Sequence, residues 1–323
     1  MDRDVVLIGP LNVDLLITGA APQDMESLRA WAGLSEVMLC AAGSAGYIAQ
    51  DLAKLGLKTG IVSTLADDPF GDALMRILGE VGLDVSQVNR EAGTLTAIGI
   101  YMLLFGSKKR PLTYRLPTHS PWPRRFSPEL EQYILRHRHL HCAGYLHFPE
   151  MHDDEMARLF RMAKEAGLST SLDPQFPLVP MNTPWVEPLR RTLSSTDLLI
   201  LDEDEARQIA QRENLRDAGT ALRGFGPKIV AIKRGAHGSL LFVGQEIYEQ
   251  PAYPVPEAQI VESIGAGDAF DTGMIYGLLK GFDLRKSARF ATLAAASTLR
   301  GSGGTMSLAS PQVLEEQERT LQW

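Results

Sequence analysis

The chain has 323 residues and a formal net charge of −7, because 39 acidic side chains outnumber 32 Lys and Arg. This length, with 45% hydrophobic residues, suits one large or two modest domains with a substantial core. A charged fraction of 22% excludes a disordered composition. The negative charge argues against general binding to nucleic acid or to an anionic membrane.

Cysteine content and apolar runs bear on the compartment. Two cysteines, Cys40 and Cys142, exclude a disulfide framework and indicate a reducing environment. No apolar run approaches ~18 residues, so we expect no membrane-spanning helix. The N-terminus also lacks the pattern of a signal peptide. We therefore expect a cytoplasmic protein.

Strands and helices are predicted to alternate through the first ninety residues. The apolar run at 5–8 predicts a buried strand. A helical pattern begins at Gly43 and ends near Gly56. A second strand is predicted over 58–65, and a second helix runs from Pro69 to about residue 81. This alternation is typical of an α/β fold with a parallel sheet.

Residues 94–116 form a separate β-rich region. Apolar, β-favouring residues at 94–106 are followed by the basic run 108–110 and by a second β-like run at 113–116. The pattern predicts a hairpin on the edge of the main sheet. The basic run could contact an anionic substrate, but we favour a hairpin tip in water.

The second half of the chain continues the alternation and predicts one large α/β domain with a small β insertion. Helices are predicted to start after Ser127 and at 202–205, and to cover 153–166, 268–280 and 285–298. Strands are predicted at 139–145, 169–172, 198–201, 229–232 and 239–243.

A glycine-rich turn near the C-terminus carries the strongest chemical signal. The phosphate-binding loop pattern is absent, and the dinucleotide fingerprint that begins at Gly265 fails at Phe270. The run Gly-Ala-Gly-Asp at 265–268 feeds a predicted helix, and a glycine turn before a helix N-terminus is an anion site. Taken alone, the run is equally consistent with a tight loop in which Asp268 is the helix N-cap.

This segment resembles the second signature of the ribokinase-like carbohydrate kinases, the phosphofructokinase-B-type family. The family pattern is Asp-Thr-Thr-Gly-Ala-Gly-Asp-x-Phe, and residues 262–270 read Glu-Ser-Ile-Gly-Ala-Gly-Asp-Ala-Phe. Further matches occur in family order at 9–14, 42–49, 66–71, 202–205, 233–238 and 294–301. The resemblance covers residues 5 to about 305.

The resemblance implies a three-layer α/β/α sandwich with a mainly parallel central sheet and a small β-sheet lid. The lid would comprise residues 11–40 and 94–118. The main domain, which binds nucleotide and substrate, would comprise 1–10, 41–93 and 119–323. Such a lid closes over the sugar and expels water, and it implies a homodimer formed through the lid.

The resemblance also implies an ATP-dependent kinase that transfers the γ-phosphoryl group to a hydroxyl of a small sugar or sugar-like substrate. Asp268 would act as the base. Gly265, Ala266 and Gly267, together with Asp268, would form an anion hole for the developing charge.

Three further groups of residues follow from the same matches. Their members are Asn12, Asp14, Gly43 and Tyr47 for the substrate; Lys233, Gly235, Gly238 and Thr292 for ATP; and Asp202 and Glu205 for indirect binding of Mg²⁺. Each has a structural alternative. Asp14 could cap its own backbone, Glu205 could belong to an acidic first helical turn, and Lys233 could be a solvated charge.

Departures from the family pattern leave the substrate open. Tyr47 stands where the family has a sugar-contacting Asn, and Ala42 replaces the first glycine of the family's glycine pair. Near the position of Thr292 the family often has an Asn. The alternatives are a nucleoside kinase in which Tyr47 stacks on a base, or a binding protein that has lost catalysis. A nicotinamide-dependent oxidoreductase conflicts with the missing early fingerprint.

Three alternating histidines form a last candidate. His137, His139 and His141 would share one face of a strand, with Cys142 next in sequence, and His and Cys can bind zinc. We favour a solvated junction between a helix and a strand, because no second ligand cluster is evident.

Overall fold

A computed structural model describes residues 2–19, 22, 24–31, 35–102, 112–115, 126–147, 149, 152, 154–178 and 180–321. Its strands are β1 (Arg3–Ile8), β2 (Asn12–Gly19), β3 (Ser35–Ala42), β4 (Thr59–Ala66), β5 (Asp84–Glu91), β6 (Ile98–Met102), β7 (Leu112–Arg115), β8 (His137–Ala143), β9 (Ser169–Asp173), β10 (Leu198–Asp202), β11 (Ile229–Lys233), β12 (Ser239–Val243) and β13 (Glu246–Gln250).

Helices connect most of these strands. They are α1 (Met25–Arg29), α2 (Ser44–Lys54), α3 (Pro69–Glu80), α4 (Pro128–Ile134), α5 (Asp154–Glu165), α6 (Val186–Leu193), α7 (Glu203–Ala210), α8 (Leu215–Arg223), α9 (Ala266–Lys280), α10 (Leu284–Thr298) and α11 (Pro311–Thr320). Within the described ranges, no helix is long and apolar enough to cross a membrane.

The central sheet has nine strands in the order β13-β12-β11-β10-β9-β8-β1-β4-β5. All neighbours from β11 to β5 are parallel, and β12 and β13 continue the sheet antiparallel. Strand β1 pairs with β8 and β4 along its two edges, and Val5 to Ile8 are fully buried on both faces. Burial on both faces explains why it reads as a continuous apolar run.

A hydrophobic core lies on each face of the sheet. Val6 and Ile8 pack with residues of α4 to α8 on one face, whereas Val5 and Leu7 pack with residues of α2, α3 and α9 to α11 on the other. Successive side chains of a strand point to opposite faces, so one strand serves both cores. The three-layer α/β/α sandwich predicted from the sequence is confirmed.

A second, smaller sheet has the order β3-β2-β6-β7. Strand β6 pairs in parallel with β2, where Ile98 lies opposite Val13, and it pairs antiparallel with β7. The two predicted strands do pair antiparallel, but their predicted place on the edge of the main sheet was wrong, because β6 joins β2 of the small sheet rather than β5 or β13. The basic run at 108–110 lies outside the described residues, and the domain boundaries stay predictions.

The three alternating histidines lie on β8 and share one face, as predicted, but the expectation of a solvated junction was wrong. His137, His139 and His141 are all fully buried. Ser171 Oγ lies 2.7 Å from both His139 Nε2 and His141 Nδ1. Burial lowers the pKa of His139 to about 3 and that of His141 to about 4, so both rings are neutral. No group of three or more metal-ligating side chains occurs among the residues described.

Local signals explain where several elements start. Asp68 caps α3 by accepting the N–H of Gly71 at 2.8 Å, and Pro69 occupies the first helical position. No sequence pattern predicted strands β5 and β13 or helices α6, α8 and α11. In β5, polar residues outnumber apolar ones and burial is partial, so the strand lacks a strong apolar signal.

Candidate active site

A cavity of about 1110 Å³ opens at the carboxyl ends of β9, β10 and β11, beside the first turn of α9. Open parallel sheets bind ligands at this edge. The cavity lining brings together most of the predicted nucleotide, metal and catalytic residues. These are Asp202, Glu205, Lys233, Gly235, Gly238, Ala266, Gly267, Asp268 and Thr292.

The first turn of α9 faces this cavity. Gly265 is the N-cap residue, with a left-handed φ of 73°, and the helix begins at Ala266. Asp268 is therefore inside the first turn, and the alternative in which it is the N-cap was wrong. A methyl group on Gly265 would lie 2.7 Å from Thr305 Cγ2, so both the conformation and the space favour glycine. First-turn N–H groups have no partner within their own helix and can receive an anion.

Glu262 lies just before this turn and forms hydrogen bonds with the segment that follows α10. Its Oε1 accepts the N–H groups of Gly303 at 3.0 Å and Gly304 at 2.8 Å. The side chain is buried, and burial raises its pKa although both N–H groups oppose the shift. The sequence showed Glu262 only as a departure from the family pattern, and its partners come from a segment forty residues away.

Asp14 lies within β2 and is almost fully buried. Its Oδ1 accepts a hydrogen bond from Asn12 Nδ2 at 2.7 Å, and its Oδ2 accepts one from the Tyr47 hydroxyl at 2.7 Å. Three of the four predicted substrate residues are therefore in direct contact, and the alternative in which Asp14 caps its own loop was wrong. Burial and the neighbouring Asp14 carboxylate raise the pKa of the Tyr47 phenol.

Gly43 starts α2 next to these residues. Its φ is 85°, and a methyl group there would lie 2.3 Å from the Pro10 carbonyl oxygen, so the turn requires glycine. The next residue, Ser44, donates a hydrogen bond from Oγ to Gln175 Oε1 at 3.1 Å. Gln175 lines the cavity, so this contact joins the predicted substrate residues to the cavity. Sequence reasoning did not identify Gln175.

Asp202 and Glu205 form a reciprocal cap at the start of α7. Asp202 Oδ1 accepts the N–H of Glu205 at 2.8 Å, and Glu205 Oε2 accepts the N–H of Asp202 at 2.7 Å. The structural alternative, an acidic first turn of a helix, is thus present. Burial raises the pKa of both carboxyl groups. Both carboxyl groups line the cavity, and such a pair suits Mg²⁺, which keeps waters and takes few protein ligands.

Gly235 and Gly238 form the turn between β11 and β12, with φ values of 53° and 79°. A methyl group on Gly238 would lie 2.0 Å from the Gln250 carbonyl oxygen. These glycines therefore bring the backbone close to the cavity. Thr292, on α10, lines the same cavity.

Lys233 ends β11 but is not a solvated charge. Its Nζ lies 2.9 Å from Asp173 Oδ2 and 3.0 Å from Asp271 Oδ1, and both carboxyl groups are buried. Sequence reasoning did not assign either aspartate to the site. The Asp173-Pro174 pair after a buried strand was a usable signal, because residues that follow parallel strands meet at one edge of the sheet.

Comparisons with known proteins agree with this arrangement. Residues 14–311 match the model of the pfkB family carbohydrate kinase. The chain is 28% identical over 283 residues to a 5-dehydro-2-deoxygluconokinase of Clostridium tetani, covering 84% of this chain and 81% of that protein. It is 26% identical over 303 residues to a cytidine kinase of Thermococcus kodakarensis, covering 93% and 97%.

Solved structures share the fold. A putative ribokinase II of E. coli in complex with ATP and Mg²⁺ superimposes with a TM-score of 0.82 at 21% identity, covering 99% of this chain and 100% of that one. The Arabidopsis thaliana ribokinase complexed with ribose and ATP gives a TM-score of 0.79 at 22% identity, with 99% and 100% coverage.

A sandwich of this topology, with a glycine turn feeding α9 at the carboxyl edge of the sheet, defines a ribokinase-like kinase fold. The chain belongs to the pfkB family of carbohydrate kinases.

Proposed function

We propose that the chain is an ATP-dependent kinase that transfers the γ-phosphoryl group to a hydroxyl of a small sugar or sugar-like substrate. The first turn of α9 carries this proposal, because it presents Asp268 and the backbone of Gly267 to the cavity. Phosphoryl transfer requires a base, donors for the developing charge and a means of positioning the reactants.

Asp268 takes the proton of the attacking substrate hydroxyl. The N–H groups of residues 265–268 stabilise the charge that develops on the transferred phosphoryl group. Gly235, Gly238 and Thr292 hold the nucleotide, and Lys233, which the sequence also assigned to ATP, lines the same cavity. Asp202 and Glu205 would hold Mg²⁺ indirectly, and the ion would supply positive charge against the phosphates.

Asp14, Asn12, Gly43 and Tyr47 bind the substrate in this proposal. The packing of Tyr47 favours a sugar over a nucleobase. Its side chain is 4% exposed, and its ring fits against Gly304, where a methyl group would lie 2.5 Å from Cε1. A ring enclosed in this way has little face left for stacking on a base. The second candidate, a nucleoside kinase, is supported by the cytidine kinase relative.

ADP release with Mg-ATP tests the function against a panel of 5-dehydro-2-deoxygluconate, ribose, fructose and cytidine. We expect turnover with one or more of the first three compounds. Turnover with cytidine alone would support the nucleoside kinase. Binding without any turnover across a broader panel would support the non-catalytic alternative.

The role of Asp268 is tested by Asp268→Asn. We expect kcat to fall by about 10³-fold, in the range of general base catalysis, while the Kd of a non-hydrolysable ATP analogue stays within about threefold. Asp217 is a matched control, because it is also the third residue of a helix, α8, and is exposed. Turnover of Asp268→Asn near that of Asp217→Asn would refute the assignment.

We further propose a homodimer formed through the small sheet, and a cytoplasmic location. Strand β3 lies at the edge of that sheet, and edge strands present unpaired backbone groups. Cys40 and Cys142 are both free thiols, which suits a reducing compartment.

A further inference from the structure

Lys233 and two buried aspartates form a triad beside the first turn of α9. We use this name for Lys233, Asp173 and Asp271. The ammonium lies 2.9 Å from Asp173 Oδ2 and 3.0 Å from Asp271 Oδ1. Asp173 is 1% exposed and Asp271 is fully buried. The three side chains come from β9, β11 and α9, so only the folded chain assembles them.

The ammonium of this triad lies close to the backbone of the predicted anion hole. A methyl group placed on Gly267 would have Lys233 Nζ as its nearest neighbour, at 3.7 Å. Gly267 immediately precedes Asp268. Asp271 follows Asp268 by three residues on the same helix, so the two carboxyl groups share one face of α9. Lys233 and Asp173 line the same cavity as Gly267 and Asp268, so the ammonium lies in the cavity wall beside this loop.

The charges of the triad explain why a lysine is needed there. Although burial opposes its charge, Lys233 has a raised pKa because Asp173 and Asp271 surround it. Burial raises the pKa of Asp271 well above its usual range, whereas the charge of Lys233 lowers the pKa of Asp173 against the effect of burial. The triad therefore holds a charged Lys233 beside an ionised Asp173 and a neutral Asp271. Without Lys233, the Asp173 carboxylate beside the loop would repel an incoming phosphate.

We propose that Lys233 is a positioning residue of the reaction, holding a positive charge beside residues 265–268 so that their N–H groups stabilise the transferred phosphoryl group. This inference rests on the proposed kinase function. It reassigns Lys233 from a direct nucleotide ligand to a group that acts through the loop. Asp173 and Asp271 hold the ammonium in place, because they fix it from two different elements.

A charge that acts on the transition state predicts an effect on kcat rather than on KM. We expect Lys233→Met to lower kcat at least 100-fold, with KM for ATP and for the sugar within threefold. Lys233→Arg keeps the charge, and we expect it to retain at least a tenth of the wild-type kcat. Lys164 is the matched control, because it also pairs with a half-buried aspartate, Asp197, but does not line the cavity.

Lys164→Met should leave kcat within threefold of wild type, with thermal melting recorded for every variant. A folded Lys233→Met with kcat within fivefold of wild type overturns the inference. An equal loss of kcat in Lys233→Arg also overturns the inference, because it would show that the shape of the side chain rather than its charge matters. If Lys233→Met does not fold, Lys233→Arg decides: a kcat of at least a tenth of wild type at constant KM for ATP supports the inference, and a lower kcat or a raised KM for ATP overturns it.

Turnover by the wild-type protein distinguishes a failure of this inference from a failure of the proposed function. Absence of turnover by the wild-type protein across the sugar panel counts against the kinase function. Turnover by the wild type that persists in Lys233→Met counts against the role of Lys233 alone.

Discussion

Tyr47 is the residue at which this chain departs most in chemistry from the sugar-binding pattern of its family. Its hydroxyl donates to Asp14 Oδ2, and Asn12 donates to the other oxygen. A substrate hydroxyl that approaches Asp14 must therefore share the carboxylate with donors of the protein itself. Under the proposed function, Tyr47 would restrict which hydroxyl patterns reach Asp14.

Replacing Tyr47 with the family residue should change substrate choice. We expect Tyr47→Asn to shift the relative kcat/KM of two sugars of the panel by about tenfold or more, because a smaller amide leaves space and frees Asp14. KM for ATP should stay constant. Tyr47→Phe separates the two causes, because it frees Asp14 but keeps the ring, and it should give a smaller shift than Tyr47→Asn. An unchanged ranking in Tyr47→Asn would contradict a role in specificity.

Asp51, on α2, is a buried acid that the proposed mechanism does not use. It is fully buried, and neither side-chain oxygen accepts a well-formed hydrogen bond from the described residues. The nearest cation is Lys54, whose Nζ lies 3.7 Å from Oδ1. Burial raises the pKa of Asp51 to about 8, so the carboxyl group is protonated in the folded protein at neutral pH.

The pH dependence of stability should reveal this acid. Between its ordinary pKa of 3.8 and about 8, the folded state holds a proton that the unfolded state has lost, so the free energy of unfolding decreases as pH rises. We expect the melting temperature of Asp51→Asn to be close to that of wild type near pH 4. As pH rises to 8, the melting temperature of the variant should exceed that of wild type by a growing margin. Asp217→Asn, at an exposed site, should show no such trend. A constant difference from wild type across this range would contradict the shift.

Helices α9 and α10 are the elements that place the predicted base, and their close approach depends on two glycines. A methyl group on Gly273 would lie 2.3 Å from Ala291 Cα, and one on Gly277 would lie 2.4 Å from Ser287 Oγ. Backbone atoms cannot yield as a flexible side chain does. The position of α9, and with it the first turn that carries Asp268, therefore depends on this contact.

Gly273→Ala should separate the two helices. We expect a loss of about 1–3 kcal/mol in the free energy of unfolding, as for overpacked cores, together with lower kcat. Gly79→Ala in α3 is the matched control, because a methyl group there meets open space. That variant should gain up to about 1 kcal/mol from helix propensity. Urea denaturation of both variants measures the change in the free energy of unfolding. Equal changes in the two variants would contradict the packing argument.

At the scale of the whole molecule, the small sheet offers an edge for assembly. Strand β3 is its terminal strand, and Val37 on that strand is 65% exposed. Leu95, which precedes β6, is 63% exposed. Exposed apolar side chains beside an unpaired edge are typical of interfaces between subunits.

The dimer predicted from the sequence is tested by sedimentation velocity. We expect wild-type protein to sediment as a dimer. Val37→Asp should shift it toward the monomer, because a buried unpaired charge is costly. Val313→Asp is the control, because Val313 is also exposed but lies on α11, outside the small sheet. A wild-type monomer at micromolar concentration would refute the proposal.

Local chemistry in the sequence was enough to predict the α/β class, the glycine turn at 265–268 and its helix, and the order of the family motifs. Apolar runs, caps and glycines act over a few residues and can be read directly. The pairing of β6 with β2, the burial of Lys233 between two aspartates and the enclosure of His139 and His141 were decided by the tertiary structure. Burial and charge pairing depend on segments that are distant in sequence, and no local pattern records which of them meet.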